Sequence, residues 1–268
     1  MSDDPIEPLI ASLHGQGRLR VWSLVITVFG DLVQHRGGRI TSARLGRLLG
    51  RVGIEQGTVR TAMSRLGQDG WVASERRGRS SLYRLRAEGL DRFAPATARI
   101  YAPPREGPVT DWALSLRLNG TQPPEVLLEP ADEAAPGADL RVTGRLEALS
   151  EAYRAVLTGG GNLDSLSALA GDLAALETAA IGDPLDAAAA RMLLIHRWRR
   201  IVLRHAELPA ELMPADAPLA DPRRAVAAAY RRIAPLAERW LDDNSGELGE
   251  MPPAAPGFAA RFGGLHRA

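Results

Sequence analysis

The sequence holds no cysteine and no lysine. The first absence excludes disulfides, thiolate zinc sites and cysteine nucleophiles together, and it fits a reducing compartment. The second leaves arginine as the one strongly basic side chain, a choice that GC-rich codon usage is enough to explain. No run approaches the ~18 apolar residues that a membrane span needs. The opening MSDDPIEPLI lacks the basic region and apolar core of a signal peptide. The expectation is a soluble, cytoplasmic protein. Also missing are a Gly-rich phosphate loop, a GxSxG elbow and a paired-carboxylate signature. His14, His35, His196, His205 and His266 are scattered, with no carboxylates at ligand spacing. Neither a metal nor a cofactor is expected, and an enzyme is not.

What is present is unevenly distributed. Residues 1–105 carry 17 Arg against 9 acids, whereas residues 106–268 carry 16 Arg against 23 acids. A net charge of +1 therefore conceals a basic first third on an acidic remainder. Such asymmetry points to a polyanionic partner for the first part alone. At 268 residues and 45% apolar content the chain is long enough for two or three small domains with real cores.

Apolar residues from Leu19 to Gln34 recur at helical spacing and stop at His35-Arg36-Gly37-Gly38. Arg39-Ile40 reads as a short strand, and Thr41 or Ser42 caps a second helix to about Arg51. After the Val52-Gly53-Ile54 turn, a third helix runs from about Glu55 to Gln68. Two strands, Trp71–Glu75 and Ser80–Arg86, follow as a hairpin with a basic turn, Arg76-Arg77-Gly78-Arg79. This order is that of a winged helix-turn-helix over residues 18–92. On the third helix Val59, Ala62, Met63 and Leu66 share one arc and face the core. The opposite arc offers Thr58, Arg60, Thr61, Ser64, Arg65 and Gln68 to base edges and phosphates of double-stranded DNA. Ser42 and Arg44 on the second helix, and Arg76, Arg77 and Arg79 in the wing, complete the candidate contacts.

Residues 87–110 read as a short helix and then a linker broken by Pro95, Pro103, Pro104 and Pro108. A small α+β unit follows over residues 98–160, with strands at Trp112–Leu118, Glu125–Glu129 and Leu140–Thr143 and a helix at Leu146–Leu157. Gly159-Gly160-Gly161 marks a boundary. Helices at Leu163–Thr178, Leu185–His205 and Pro222–Leu241 make a C-terminal helical domain over residues 161–242. Residues 243–268, rich in Gly and Pro, read as a mobile tail except where Phe258 or Phe262 docks. The fold class expected is mainly α with α+β parts.

VFGD (28–31), VGIEQGTVRTAMSRLGQDGW (52–71), GRSSLYRL (78–85) and RIY (99–101) together resemble the PaaX family of phenylacetate-degradation repressors. LLIHRWRR (193–200) and LPAELMP (208–214) resemble its C-terminal signature, so the likeness spans roughly residues 18–240. The resemblance implies a homodimeric repressor of an aromatic-acid catabolic operon. Such a repressor binds an inverted repeat and is released by an aromatic acyl-CoA such as phenylacetyl-CoA. It also implies a ferredoxin-like middle domain, although between Leu118 and Glu125 there is no room for a linking helix. His205-Ala206 stands where the family usually has Asp-Pro, and no Trp follows Pro214. His196, Arg197, Trp198, Arg199 and Arg200 become the candidate effector residues, because an arginine stripe suits ligand phosphates. Two readings stay open beside this one: a winged-helix protein with metal-dependent nuclease activity, and a protein-interaction adaptor with Arg60 and Arg65 on a solvated face.

Overall fold

Between Val21 and Arg36 the chain follows one helical path with a defect in it. Helix α2 (Val21–Val28) widens into a π-helical turn (Phe29–Val33), tightens into a 3-10 turn (Gln34–Arg36), and ends where Gly37 adopts φ 76°. π-turns of this kind often mark functional positions. The computed structural model describes residues 4–15, 17, 19–77, 80–118, 120 and 123–265. It is mainly helical, with two small antiparallel sheets. Among the described residues no helix is long and apolar enough to cross a membrane.

Helix α1 (Glu7–His14), which the sequence pattern did not flag, buries Leu9 and Leu13. Strand β1 (Arg39–Thr41) leads directly into α3 (Ser42–Arg51), whose cap is Thr41; its hydroxyl accepts from the Arg44 amide at 3.2 Å. Helix α4 (Gln56–Gln68) inserts Val59, Ala62, Met63 and Leu66 against α2. Strands β2 (Val72–Arg77) and β3 (Ser80–Leu85) then form a hairpin, and β1 pairs with β3 to give the order β1-β3-β2.

Helix α5 runs from Ala87 to Ile100, far longer than the short helix expected before a proline-broken linker. Pro95 lies inside it without ending it. A proline removes one backbone hydrogen bond, and the buried Phe93 and Ile100 hold the helix in place regardless. Gly30 makes this packing possible, since a Cβ there would lie 2.1 Å from a ring carbon of Phe93.

The middle unit is a three-stranded sheet of β4 (Trp112–Arg117), β5 (Glu125–Pro130) and β6 (Leu140–Gly144), in the order β5-β4-β6. A ferredoxin-like plan places helices between strands. Here the connections 118–124 and 131–139 hold none among the described residues, so that expectation is corrected to a bare antiparallel sheet. One face covers Ala113 and Ser115. On the other, Leu114 lies between Leu128 and Val142, and Leu116 between Val126 and Leu140. This aliphatic face is left open: Leu114 is 46%, Val126 51%, Leu140 53% and Val142 58% exposed.

Helices α6 (Glu151–Thr158), α7 (Gly160–Thr178), α8 (Pro184–Arg204) and α9 (Pro222–Asp242) follow, with Gly159 at φ 69° turning the chain straight into α7. Helix α8 is buried on every side from Ala187 to Trp198, the signature of a central helix rather than a surface one. It packs against α2, α3, α5, α7 and α9.

Residues 243–265 are docked, where a mobile tail was expected. Leu248, Met251, Arg261 and Phe262 are buried. Phe258, in the short helix α10 (Pro256–Ala259), stacks on His35 with ring centres 4.3 Å apart. The Ala255 amide donates to the His35 carbonyl at 2.7 Å, and the Thr41 hydroxyl donates to the Leu248 carbonyl at 2.6 Å. A Gly- and Pro-rich segment is held here by a few buried apolar side chains together with backbone and side-chain hydrogen bonds.

One buried charge cluster joins these parts. Asp31, in the π-turn, accepts from Arg191 Nε at 2.9 Å, Arg261 at 3.0 Å, Tyr101 at 2.8 Å and Tyr230 at 2.9 Å. Burial pushes both tyrosine pKa values up, so the phenols donate as neutral groups. Arg191 also donates to Glu238 at 2.6 Å, and Arg36 bridges Glu238 and Asp242. The buried Arg36, Arg191 and Arg261 thus face the buried Asp31 and Glu238, with the exposed Asp242 as a third carboxylate at the edge of the cluster.

Candidate nucleic-acid interface and effector region

Helix α4 separates its two faces as its periodicity dictates. With Val59, Ala62, Met63 and Leu66 buried, the side chains of Thr58, Arg60, Thr61, Ser64, Arg65 and Gln68 are all exposed. Thr61 returns its hydroxyl to the Gly57 carbonyl at 3.1 Å. Arg60, Arg65 and the exposed Arg76 of β2 have no carboxylate within ion-pair distance among the described residues, so their charge is available to a partner. Ser42 is half-buried, and its hydroxyl accepts from the Ser81 amide at 3.2 Å, tying the start of α3 to the hairpin. The backbone of Arg77 closes the hairpin opposite Ser80. The side chain of Arg77, and all of Arg79, lie outside the described residues.

Arg44 is not on this surface. It is wholly buried, and its guanidinium donates to the carbonyls of Trp240 at 2.7 Å, Asp243 at 2.5 Å and Gly249 at 2.8 Å. Burial pulls its pKa down. The expected DNA contact is corrected: α3 has the end of α9 behind it, and Arg44 faces that way. Two cations missed in the sequence belong nearer the interface: Arg39 of β1 and Arg84 of β3 are directly opposed and exposed. Like charges set across a strand pair repel. A polyanion offsets that cost. Only the strand register, which a sequence does not display, brings them together.

The five candidate effector residues do not form one site. Arg197 is buried, ion-paired with Asp172, and donates to the Ser12 hydroxyl at 2.7 Å. Trp198 is buried and donates its indole N–H to the Ile100 carbonyl at 2.9 Å. The half-buried Arg199 binds the Ser23 carbonyl at 3.0 Å and hydroxyl at 2.6 Å, and burial lowers its pKa. His196 is buried with Nδ1 3.0 Å from the Thr27 hydroxyl. Arg200 is exposed, one face around from Arg199.

Three of these residues line one or other of two pockets, and Arg197 and Arg199 line neither. A cavity of about 710 Å³ lies where α8, the start of α9 and the segment after α5 meet; Trp198 and His205 are in its wall. Its arginines are each matched to carboxylates: Arg105 to Asp132 and Glu133, Arg223 to Glu207, and Arg224 to Asp221. A second pocket of about 450 Å³ lies between the start of α2 and the end of α8, with His196 and Arg200 in its wall. Among the described residues no cluster of three His, Asp or Glu side chains is placed to hold a metal.

The basic, outward face of α4 beside an arginine-bearing hairpin is the arrangement to which the known proteins can be compared. Residues 20–89 match the PaaX-like protein family, and residues 145–243 match the PaaX-like protein C-terminal domain. The transcriptional repressor PaaX of Escherichia coli (strain K12) is 30% identical over 288 aligned residues, which cover 91% of this chain and 90% of that one. The chain belongs to the PaaX family. A solved structure, uncharacterized protein Rv0674 from Mycobacterium tuberculosis, superposes with a TM-score of 0.49 at 21% identity, over 81% of this chain and 97% of that one. The structure gives the PaaX sequence blocks physical content. In VFGD, Gly30 admits Phe93 and Asp31 carries the buried charge cluster. In RIY, Tyr101 donates to that same Asp31.

Proposed function

We propose that this PaaX-family protein is a cytoplasmic transcriptional repressor, not an enzyme, whose residues 18–92 act as a winged helix-turn-helix on double-stranded DNA. The observation that carries the reading is the outer face of α4, where Thr58, Arg60, Thr61, Ser64, Arg65 and Gln68 are exposed together while the opposite stripe is sealed in the core. In this reading α4 enters the major groove, Arg60 and Arg65 reach guanine edges or phosphates, and Arg76, Arg77 and Arg79 grip the backbone. The similarity to the Escherichia coli transcriptional repressor PaaX supports the repressor role.

A homodimer places two such helices on an inverted repeat, with half-sites roughly 10 bp or a small multiple apart. The open aliphatic face of the middle sheet supports this surface as the dimer contact, because exposed apolar patches of that kind mark association sites. Release by an aromatic acyl-CoA such as phenylacetyl-CoA completes the proposal, and it asks the ligand to favour one spacing of the α4 helices over another.

The test is fluorescence anisotropy on DNA from upstream of the protein's own operon, across a salt series. Affinity falls with salt at a log-log slope of about −0.9 per phosphate neutralised. The Arg60→Ala, Arg65→Ala double variant flattens that slope by roughly one unit for each phosphate it leaves without its arginine. Salt-insensitive binding, or an unchanged slope in the variant, overturns the reading.

A further inference from the structure

We infer that the pocket between the start of α2 and the end of α8 is a site for a small organic anion that joins clustered negative charge to a flat apolar portion. The inference rests on the effector reading above and gives it a place.

The charged wall comes from two elements. Arg20 is the N-cap of α2, while Arg200 and Arg204 stand one turn apart on α8, and all three line about 450 Å³; Arg20 and Arg204 are exposed and form no ion pair among the described residues. Their crowding is felt electrostatically: Arg200 has its pKa lowered by burial and by the charges of Arg197, Arg204 and Arg20. The apolar wall is supplied by Trp22 and Leu203, each 40% exposed, which is high for such large apolar side chains placed beside cations. His196 adds a neutral polar surface, its pKa pushed down to about 3 by burial and neighbouring arginines. Guanidiniums bind phosphate and carboxylate oxygens through paired N–H donors, and a flat apolar group gains from an indole face.

The larger cavity is the natural rival, and its charge argues against it for an anion. Its three arginines are already paired with carboxylates, and Glu211 adds further negative charge to the wall. An anion placed there meets an acidic wall, whereas in the smaller pocket it relieves like-charge repulsion.

Position gives the pocket a regulatory consequence. Arg20, Trp22 and Ser23 open α2, the helix on which α4 packs, while Arg200 and Arg204 belong to the central helix. An anion bridging Arg20 to Arg204 therefore biases how the α2–α4 pair is seated on α8. Linkage makes the effect reciprocal: DNA that prefers one seating changes the anion's affinity by the same factor.

The experiment is calorimetric titration of the full chain with phenylacetyl-CoA and, separately, with phenyl phosphate. It uses the wild type, Arg20→Ala, Arg204→Ala, and Arg105→Ala in the larger cavity. Arg20 and Arg204 are exposed, so both variants keep their melting temperature. The expected result is that each weakens binding roughly 10-fold or more, the usual cost of removing one charge-assisted hydrogen bond. Arg105→Ala leaves binding as it was. Phenylacetyl-CoA bound equally by the wild type, Arg20→Ala and Arg204→Ala overturns this site and leaves the effector reading standing. Arginine-dependent binding of phenyl phosphate with no heat from phenylacetyl-CoA keeps the site and removes the acyl-CoA effector. No heat from either probe removes both.

Discussion

His196 makes the protein's stability depend on pH in a calculable way. It sits on α8 with Nδ1 against the Thr27 hydroxyl at 3.0 Å, and burial, then the charges of Arg199, Arg200 and Arg197, push its pKa down to about 3. In the unfolded chain the value returns to ~6.5. A folded pKa below the unfolded one means that the unfolded chain binds the proton first, so stability is lost as pH falls below ~6.5. At about pH 5, with ~1.36 kcal/mol per pKa unit, His196 alone costs about 2 kcal/mol relative to neutral pH. For a chain of this size each kcal/mol moves the melting temperature by roughly 2–4 °C, which gives about 4–8 °C. Scanning calorimetry on wild type and His196→Asn at about pH 7.5 and about pH 5 isolates this term. His35, whose pKa burial also lowers, contributes with the same sign but is present in both proteins and cancels. The wild type loses about 4–8 °C more than the variant between the two conditions. Equal losses in the two proteins would show that His196 is not held neutral in the fold, and the electrostatic account of α8 would fail with it.

Two further outcomes follow from burial and exposure. Arg44→Ala strands the carbonyls of Trp240, Asp243 and Gly249, and costs roughly 2–4 kcal/mol in chemical denaturation. The molecules that remain folded bind DNA with wild-type salt dependence, and a flattened slope would return Arg44 to the interface. Val142→Asp sets a charge in the open aliphatic face of the middle sheet, so sedimentation velocity detects monomer at concentrations where the wild type is dimeric. An unchanged sedimentation coefficient moves the dimer contact elsewhere.

Helices α2 to α4 and the β2–β3 hairpin were legible because their periods are clear, whereas α1 and the full length of α5 were not. Val59, Ala62, Met63 and Leu66 recur at helical spacing, and the structure seats them as that spacing requires. The exposed face of α4 follows from the same count. Arg44 was misplaced because the order of elements shows where α3 lies in the chain but not what packs behind it. The effector residues were misgrouped for a related reason: α8 is surrounded on all sides, so neighbours in sequence point into different surroundings. Asp31 and Arg261 lie 230 positions apart, and nothing in composition or spacing pairs them. The docked tail was invisible because Gly and Pro signal loose chain unless a receiving surface is known.

The acceptors of Arg44 have a consequence for how the protein comes into being. Helix α3 leaves the ribosome early, yet the carbonyls that receive its buried guanidinium lie 196 to 205 residues further on. N-terminal units ordinarily fold first during synthesis. Here α3 lacks the acceptors that seal Arg44 until the end of α9 and the segment after it have been made. Prematurely terminated chains therefore carry the whole recognition surface without the support that fixes it.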